Sequence, residues 1–259
     1  MKHGDFSTLA ESYSTSRPDY SRRIVSEVLE MCLQDPDQIE AVDVGAGTGI
    51  WTRMLFDAGI VNLTAIEPNN EMRSEGIRNT SDIPVSWTYG LAEATGRSDA
   101  SADLLTMASA FHWTDFDDAT KEFGRVLREG GLFVALWNPR LVDRNPVLHD
   151  IEVQVGRLLG DPPARISSGF SSFTEHLEDR LRSSPVFTEV SYLEDEHIVI
   201  FNQERYMTVW RSVNDLRVQL GELRFQELLR YIEKAISEMN EIKATYLTRA
   251  WLARKGHVS

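Results

Sequence analysis

The chain has 259 residues, 42% of them hydrophobic, with 27 Lys and Arg against 40 Asp and Glu, a formal charge of −13. That length suits a single α/β unit with additions and is enough to bury a sizeable core. The acidic balance argues against a nucleic-acid partner or an anionic lipid surface, the lack of any run of roughly 18 apolar residues argues against a membrane helix, and a single cysteine excludes an internal disulfide.

In chain order, residues 21–33 place Ile24, Val25, Val28, Leu29 and Cys32 at helical spacing, and Asp35-Pro36-Asp37 ends that helix. Cys32 lies on the apolar stripe, where a thiol packs rather than reacts. Short apolar or β-branched runs at 40–44, 62–66, 84–89, 102–108 and 131–137 predict strands, with helices in the gaps. Most of these runs lack period-two alternation, as expected for parallel strands covered on both faces. Asp115, Asp117 and Asp118 read as the cap and first-turn acids of one of the helices.

Beyond Trp137 the turn Asn138-Pro139-Arg140 leads to a predicted helix at 146–159 and a loop at 161–172 rich in Pro and Ser. Strands are expected at 186–192, 197–201 and 243–253, with helices at 203–213 and 222–239 inserted before the last strand. We expect one domain over 1–259, with N-terminal cap helices at 1–36 and a core at 37–138. Helical pocket or lid insertions are expected at 139–185 and 202–240, and a final strand and tail at 241–259.

The most informative run is Asp43-Val44-Gly45-Ala46-Gly47-Thr48-Gly49-Ile50-Trp51, a buried strand that ends in three alternate glycines and opens into a helix. Glycine permits positive φ and lets a ligand approach the backbone, while the helix start offers free N–H groups. The next predicted strand ends in Glu67, about 20 positions on, where a carboxylate can accept both hydroxyls of a ribose. The dinucleotide fingerprint wants its third glycine where Ile50 stands, and no phosphate-cradling Lys-Ser/Thr pair is present, so a pyrophosphate ligand is disfavoured.

Asp43, Gly45, Gly47, Gly49 and Glu67 resemble the signature of the class I S-adenosylmethionine-dependent methyltransferases. Tyr89-Gly90-Leu91-Ala92-Glu93 is similar to the adenine-lining segment of that family. Met107 to Trp113, the helical run after them and the Gly130-Gly131 turn are similar to its fourth strand, following helix and Gly-Gly turn. Gly96-Arg97-Ser98 departs from it, standing where relatives carry an apolar stretch with proline. Ala110-Phe111-His112-Trp113 and Leu136-Trp137-Asn138 resemble the bacterial small-molecule group that includes trans-aconitate methyltransferase-like proteins.

The resemblance implies a Rossmann-like α/β fold with a seven-stranded, mainly parallel sheet and helical additions. It implies a methyltransferase that moves a methyl group from S-adenosylmethionine to an O, N or C atom of a small molecule and leaves S-adenosylhomocysteine. A monomer or homodimer is expected, and the lack of an apolar N-terminal run with the single cysteine leads us to expect a cytoplasmic protein. Cofactor contacts are then expected from Tyr13, Arg17, Gly45, Ala46, Gly47, Thr48 and Gly49, from Glu67, Pro68 and Met72, and from Leu91, Ala92, Glu93 and Ser109. Asp43 is expected to order the glycine loop through its backbone N–H groups.

Methyl transfer from a sulfonium is an in-line displacement, so positioning and exclusion of water outrank a covalent nucleophile. A base is needed only where the acceptor must lose a proton, and His112, just after the fourth strand, is the expected catalytic residue. Tyr20, His112, Trp113, Trp137, Arg140 and His149 are the expected substrate contacts, with aromatic faces for the sulfonium or acceptor and Arg140 for an acidic group. No metal ligand set is expected. Two rival readings are a cofactor-binding protein without turnover and a nucleotide-dependent oxidoreductase, the latter disfavoured by Ile50 and by the lack of a Tyr-x-x-x-Lys pair.

Overall fold

The computed structural model describes residues 17–160 and 169–256. The first element among the described residues is α1 (Arg22–Glu30), capped by the Ser21 hydroxyl, which accepts the N–H groups of Arg23 and Ile24; the part of the expected cap at 1–16 lies outside the described residues. Its buried residues Ile24, Val25 and Val28 fit the expected stripe. Cys32 sits just beyond this helix, its thiol pushed up to about 11 by burial and pointed at the Val28 carbonyl. Then come β1 (Glu40–Val44), α2 (Ile50–Asp57), β2 (Asn62–Ile66), α3 (Asn70–Asn79), β3 (Val85–Thr88) and β4 (Ala102–Ala108). A short 3-10 turn at Phe111–Trp113 precedes α4 (Phe116–Val126), whose cap Asp115 accepts from the N–H groups of Asp117 and Asp118, as expected.

The next strand, β5 (Leu127–Trp137), begins four residues earlier than the apolar run at 131–137 suggests. Its partner register jumps from Ala102 opposite Leu127 to Leu104 opposite Leu132, so Arg128 to Gly131 form an irregularity that Gly130 accommodates at φ +74°. The second half holds α5 (Pro146–Leu159), α6 (Ser172–Glu175), α7 (Leu177–Ser183), β6 (Phe187–Phe201), α8 (Gln203–Arg211), α9 (Asn214–Ile236) and β7 (Ile242–Lys255).

Two expectations in this half are corrected. The strands at 186–192 and 197–201 are one strand of 15 residues, because β6 lies at the sheet edge and pairs with β7 without a break across Glu194, Asp195 and Glu196. An edge strand with one solvated face tolerates such acids, and they discourage pairing with other chains. The helix expected at 222–239 does begin just after Gly221 but ends at Ile236, and it is preceded by a helical stretch from Asn214 that lies outside the expectation, the two parted at Gly221 (φ 71°, ψ 165°), a conformation nearly reserved for glycine.

The seven strands form one sheet in the order β3-β2-β1-β4-β5-β7-β6, with β7 antiparallel to both neighbours and the first five strands parallel. This is the expected Rossmann-like architecture. Alternate residues feed opposite faces: Leu105 and Phe133 pack with Phe111 and Phe123, while Leu104 and Val134 pack with Trp51 and Leu55. A third cluster, with Ile151, Trp210, Phe225 and Ile232, joins the helical additions to the far end of β7. The strand order reverses between β1 and β4, so a crevice opens at their carboxyl ends. No helix of the described residues is long and apolar enough to cross a membrane.

Candidate active site

The crevice begins where β1 runs out at Val44. Gly45 and Ala46 donate their N–H groups to the Ile66 carbonyl at 2.8 and 3.1 Å, which ties the glycine turn to the end of β2. Gly47 takes φ +58°, and a Cβ there would meet nothing within 4 Å except the Met72 methyl at 3.4 Å, so its face is open to the crevice. Gly49 serves a different purpose. It caps α2 at φ +79°, and a Cβ there would press on Trp87 at 3.2 Å and Thr80 at 3.3 Å, which places it in the packing and not on the cavity wall expected of it.

Glu67 is 7% exposed, and each carboxylate oxygen accepts one backbone N–H, from Gly47 at 2.9 Å and from Asn69 at 2.8 Å. Burial raises its pKa, opposed by these two bonds and by the nearby Arg73 guanidinium. Asp43 does not reach the glycine loop. Its oxygens accept the hydroxyls of Thr52 (2.6 Å) and Thr106 (3.0 Å) beneath the sheet edge, a correction to the expected backbone contacts. Complete burial pushes its pKa from 3.8 to about 7.

The crevice holds a cavity of about 540 Å³. Its near half is walled by Gly45 to Thr48, by Glu67, Pro68 and Met72, by Leu91 to Glu93, and by Arg17 and Ser109. These are the expected cofactor contacts apart from Gly49 and Tyr13, the latter outside the described residues. Ser109 takes an uncommon positive φ of 54° and shares a 2.9 Å hydrogen bond with the Tyr20 hydroxyl, which brings the N-terminal segment onto the end of β4. Asp19 is held in turn by the Asn138 side chain, and Ser21 by Thr248.

The cavity continues past Tyr20, Trp113, Trp137 and Arg140, four of the six expected substrate contacts. The Arg140 guanidinium lies 4.2 Å over the Trp210 ring, and its Nη1 is buried without a hydrogen-bond partner among the described residues. His149 is exposed on α5 and does not line the cavity, because Leu148, Ile151 and Val155 turn the other face of that helix inward. His112 stands behind the wall. Its Nδ1 accepts the Trp137 indole N–H at 3.2 Å, its Nε2 is buried without a partner among the described residues, and burial lowers its pKa to about 4 despite the pull of Asp215. A base needs an available lone pair facing the acceptor, and neither His112 ring nitrogen offers one to the cavity in this arrangement.

The far half also contains residues that sequence reasoning missed: Glu152, Val213, Asp215 and Tyr246. Glu152 comes four residues after Leu148 on an otherwise apolar face, a signal that the sequence does carry. Asp215 lies in the first turn of α9, a stretch not expected to be helical, so nothing marks it.

The glycine turn open at Gly47, the buried carboxylate at the end of the next strand and the aromatic chamber beyond them thus share one cavity. The family model described as a methyltransferase domain matches residues 42–135, from β1 to nearly the end of β5. The parallel half of the sheet therefore matches the methyltransferase family.

Among curated proteins, the chain is similar to an uncharacterized methyltransferase-like protein of Schizosaccharomyces pombe, 25% identical over 252 residues, with 96% of this chain and 95% of the other covered. It is 32% identical over 135 residues to an uncharacterized methyltransferase of Mycobacterium tuberculosis, with 52% of each chain covered. Fungal and bacterial relatives therefore both occur, and the comparisons do not single out a bacterial group.

Among solved structures, a protein of Anaeromyxobacter dehalogenans provisionally described as a type II methyltransferase superimposes with a TM-score of 0.66 at 22% identity, covering 93% of this chain and 99% of that one. A phosphoethanolamine N-methyltransferase of Haemonchus contortus, bound to phosphomonomethylethanolamine and S-adenosylhomocysteine, superimposes with a TM-score of 0.57 at 11% identity, covering 97% and 58%. Identities this low speak to the fold.

Proposed function

We propose that this chain transfers a methyl group from S-adenosylmethionine to a small-molecule acceptor, at an oxygen, nitrogen or carbon atom, by in-line displacement. The observation that carries the reading is the single cavity that joins Gly47 and Glu67 to Trp137 and Arg140. The residues suit the cofactor. A carboxylate offers about four lone-pair sites, and the Glu67 oxygens have spent one each on backbone N–H groups, so acceptor capacity remains for two ribose hydroxyls. Thr48 Oγ1, on the same wall, is buried without a partner among the described residues.

When bound, the cofactor supplies a methyl group on a positively charged sulfur. The protein's task is then placement: Leu91 and Ala92 wall the nucleoside side, Ser109 and Tyr20 narrow the passage, and Trp113 and Trp137 face the acceptor chamber and displace water. Arg140, stacked on Trp210 with a buried nitrogen that has no hydrogen-bond partner among the described residues, is the group we assign to an acidic substituent of the acceptor.

Calorimetric titration of the purified chain with S-adenosylhomocysteine, and in parallel with NADH, tests the reading. Micromolar binding of the first and none of the second is expected. Binding of NADH without S-adenosylhomocysteine would overturn it in favour of a nucleotide-dependent oxidoreductase.

A further inference from the structure

Two tryptophans of the cavity wall meet on one side chain. The His112 ring lies 4.5 Å from the Trp113 ring, centre to centre, and 6.0 Å from the Trp137 ring. Trp137 closes β5 and is 1% exposed, wedged edge-on against Trp251 at 5.5 Å. A buried indole N–H needs an acceptor, and two others in this chain, those of Trp51 and Trp210, have none among the described residues. Trp137 has one, the Nδ1 of His112.

That bond assigns the tautomer. An Nδ1 that accepts carries no proton, so the neutral ring bears its hydrogen on Nε2. Protonating the ring would put a donor against the Trp137 donor and break the contact. The charge that acts on the ring is Asp215, from the first turn of α9, and burial outweighs it. Nε2 is itself inaccessible, so the ring meets neither the cavity nor solvent directly with this atom.

We infer that His112 is a positioning residue: a neutral imidazole, locked as the Nε2–H form, that fixes the orientation of Trp137 and backs Trp113, and takes no proton from the acceptor. The inference deepens the methyltransferase reading by naming what holds its acceptor wall. Where an acceptor must lose a proton, the base is some other group, and Glu152 and Asp215 are the carboxylates in the far half of the cavity.

The test is nuclear magnetic resonance on the full chain, isotopically labelled, beside the calorimetric titration with S-adenosylhomocysteine. The His112 ring nitrogens are expected to report one Nε2–H form with no titration from about pH 5.5 to 8. His112→Asn, which offers an amide oxygen near the place of Nδ1, should keep the Trp137 indole proton protected. His112→Leu should let that proton exchange about tenfold faster, the loss of one hydrogen bond.

A ring that titrates near 6.5 or carries its proton on Nδ1 would overturn the inference, as would equal exchange in all three proteins. Should His112→Leu fail to fold, the titration and His112→Asn still decide. Absence of S-adenosylhomocysteine binding in the unaltered chain would instead strike the methyltransferase reading and leave the ring measurement standing.

Discussion

Glu67 and Asp43 are both buried acids at the carboxyl edge of the sheet, and they do opposite things with that burial. Glu67 faces the cavity and holds Gly47 and Asn69 by their N–H groups. Glu67→Ala is expected to weaken S-adenosylhomocysteine binding by about 1.5–3 kcal/mol, the worth of charge-assisted hydrogen bonds, read by calorimetry. Unchanged affinity would mean that the ribose is held elsewhere.

Asp43 turns away, to Thr52 and Thr106. Its folded pKa is raised from 3.8 to about 7, so between these values the folded chain holds a proton that the unfolded chain releases. The stability this contributes is fully present below 3.8 and is lost as pH rises through about 7. Urea denaturation of the unaltered chain and Asp43→Asn should show the former gaining on the variant as pH falls from 7 towards 4, with a constant difference above 8. A difference independent of pH would contradict the assignment.

At this scale Glu67 is legible in one stretch of sequence, because acid, strand and glycine turn recur at a fixed distance. The partners of Asp43 are not, since Thr52 comes from α2 and Thr106 from β4. The role of His112 is hidden for the same reason: it depends on Trp137, 25 residues away.

Elements are fixed partly by their own periodicity and partly by what they lie against. The helix α5 is readable in full because Pro146 starts it, Gly160 ends it at φ +81°, and an apolar stripe runs between them. The unbroken β6 is not, because its acids look like a loop until β7 is laid beside it. Nor is the first part of α9, where the break at Gly221 interrupts the pattern that runs cleanly afterwards.

Gly76, in α3, shows a neighbour setting a residue. A Cβ there would stand 2.1 Å from the Trp87 ring, whose indole N–H is pinned to the Thr80 hydroxyl at 2.8 Å. Helix propensity alone favours Gly76→Ala by about 1 kcal/mol. Overpacking costs typically about 1–3 kcal/mol, and with the ring pinned the variant is expected to be less stable by about 1 kcal/mol or more in chemical denaturation. A variant as stable as the parent would show that Trp87 can move aside.

In the whole molecule the sheet order explains why the cavity lies where it does. The reversal between β1 and β4 parts the flanking helices, and the additions after β5 close over the opening. The parallel half can be anticipated from strand spacing alone. The far half rests on contacts such as Arg140 with Trp210 and Ser109 with Tyr20, which join stretches about 70 and 90 residues apart and leave no local mark.

Apart from Ser109 in the near half and Tyr20 and Trp113 in the far half, the cavity's two halves are drawn largely from different lengths of chain. The glycine turn, Glu67 and the 91–93 segment lie before residue 94, while Trp137, Arg140, Glu152, Asp215 and Tyr246 all come after 136. Inheritance can therefore rewrite one wall and spare the other. Substitutions on α5 or at the start of α9 would alter the far wall and leave the glycine turn and Glu67 untouched, so related chains could differ in what the chamber admits while sharing that near wall.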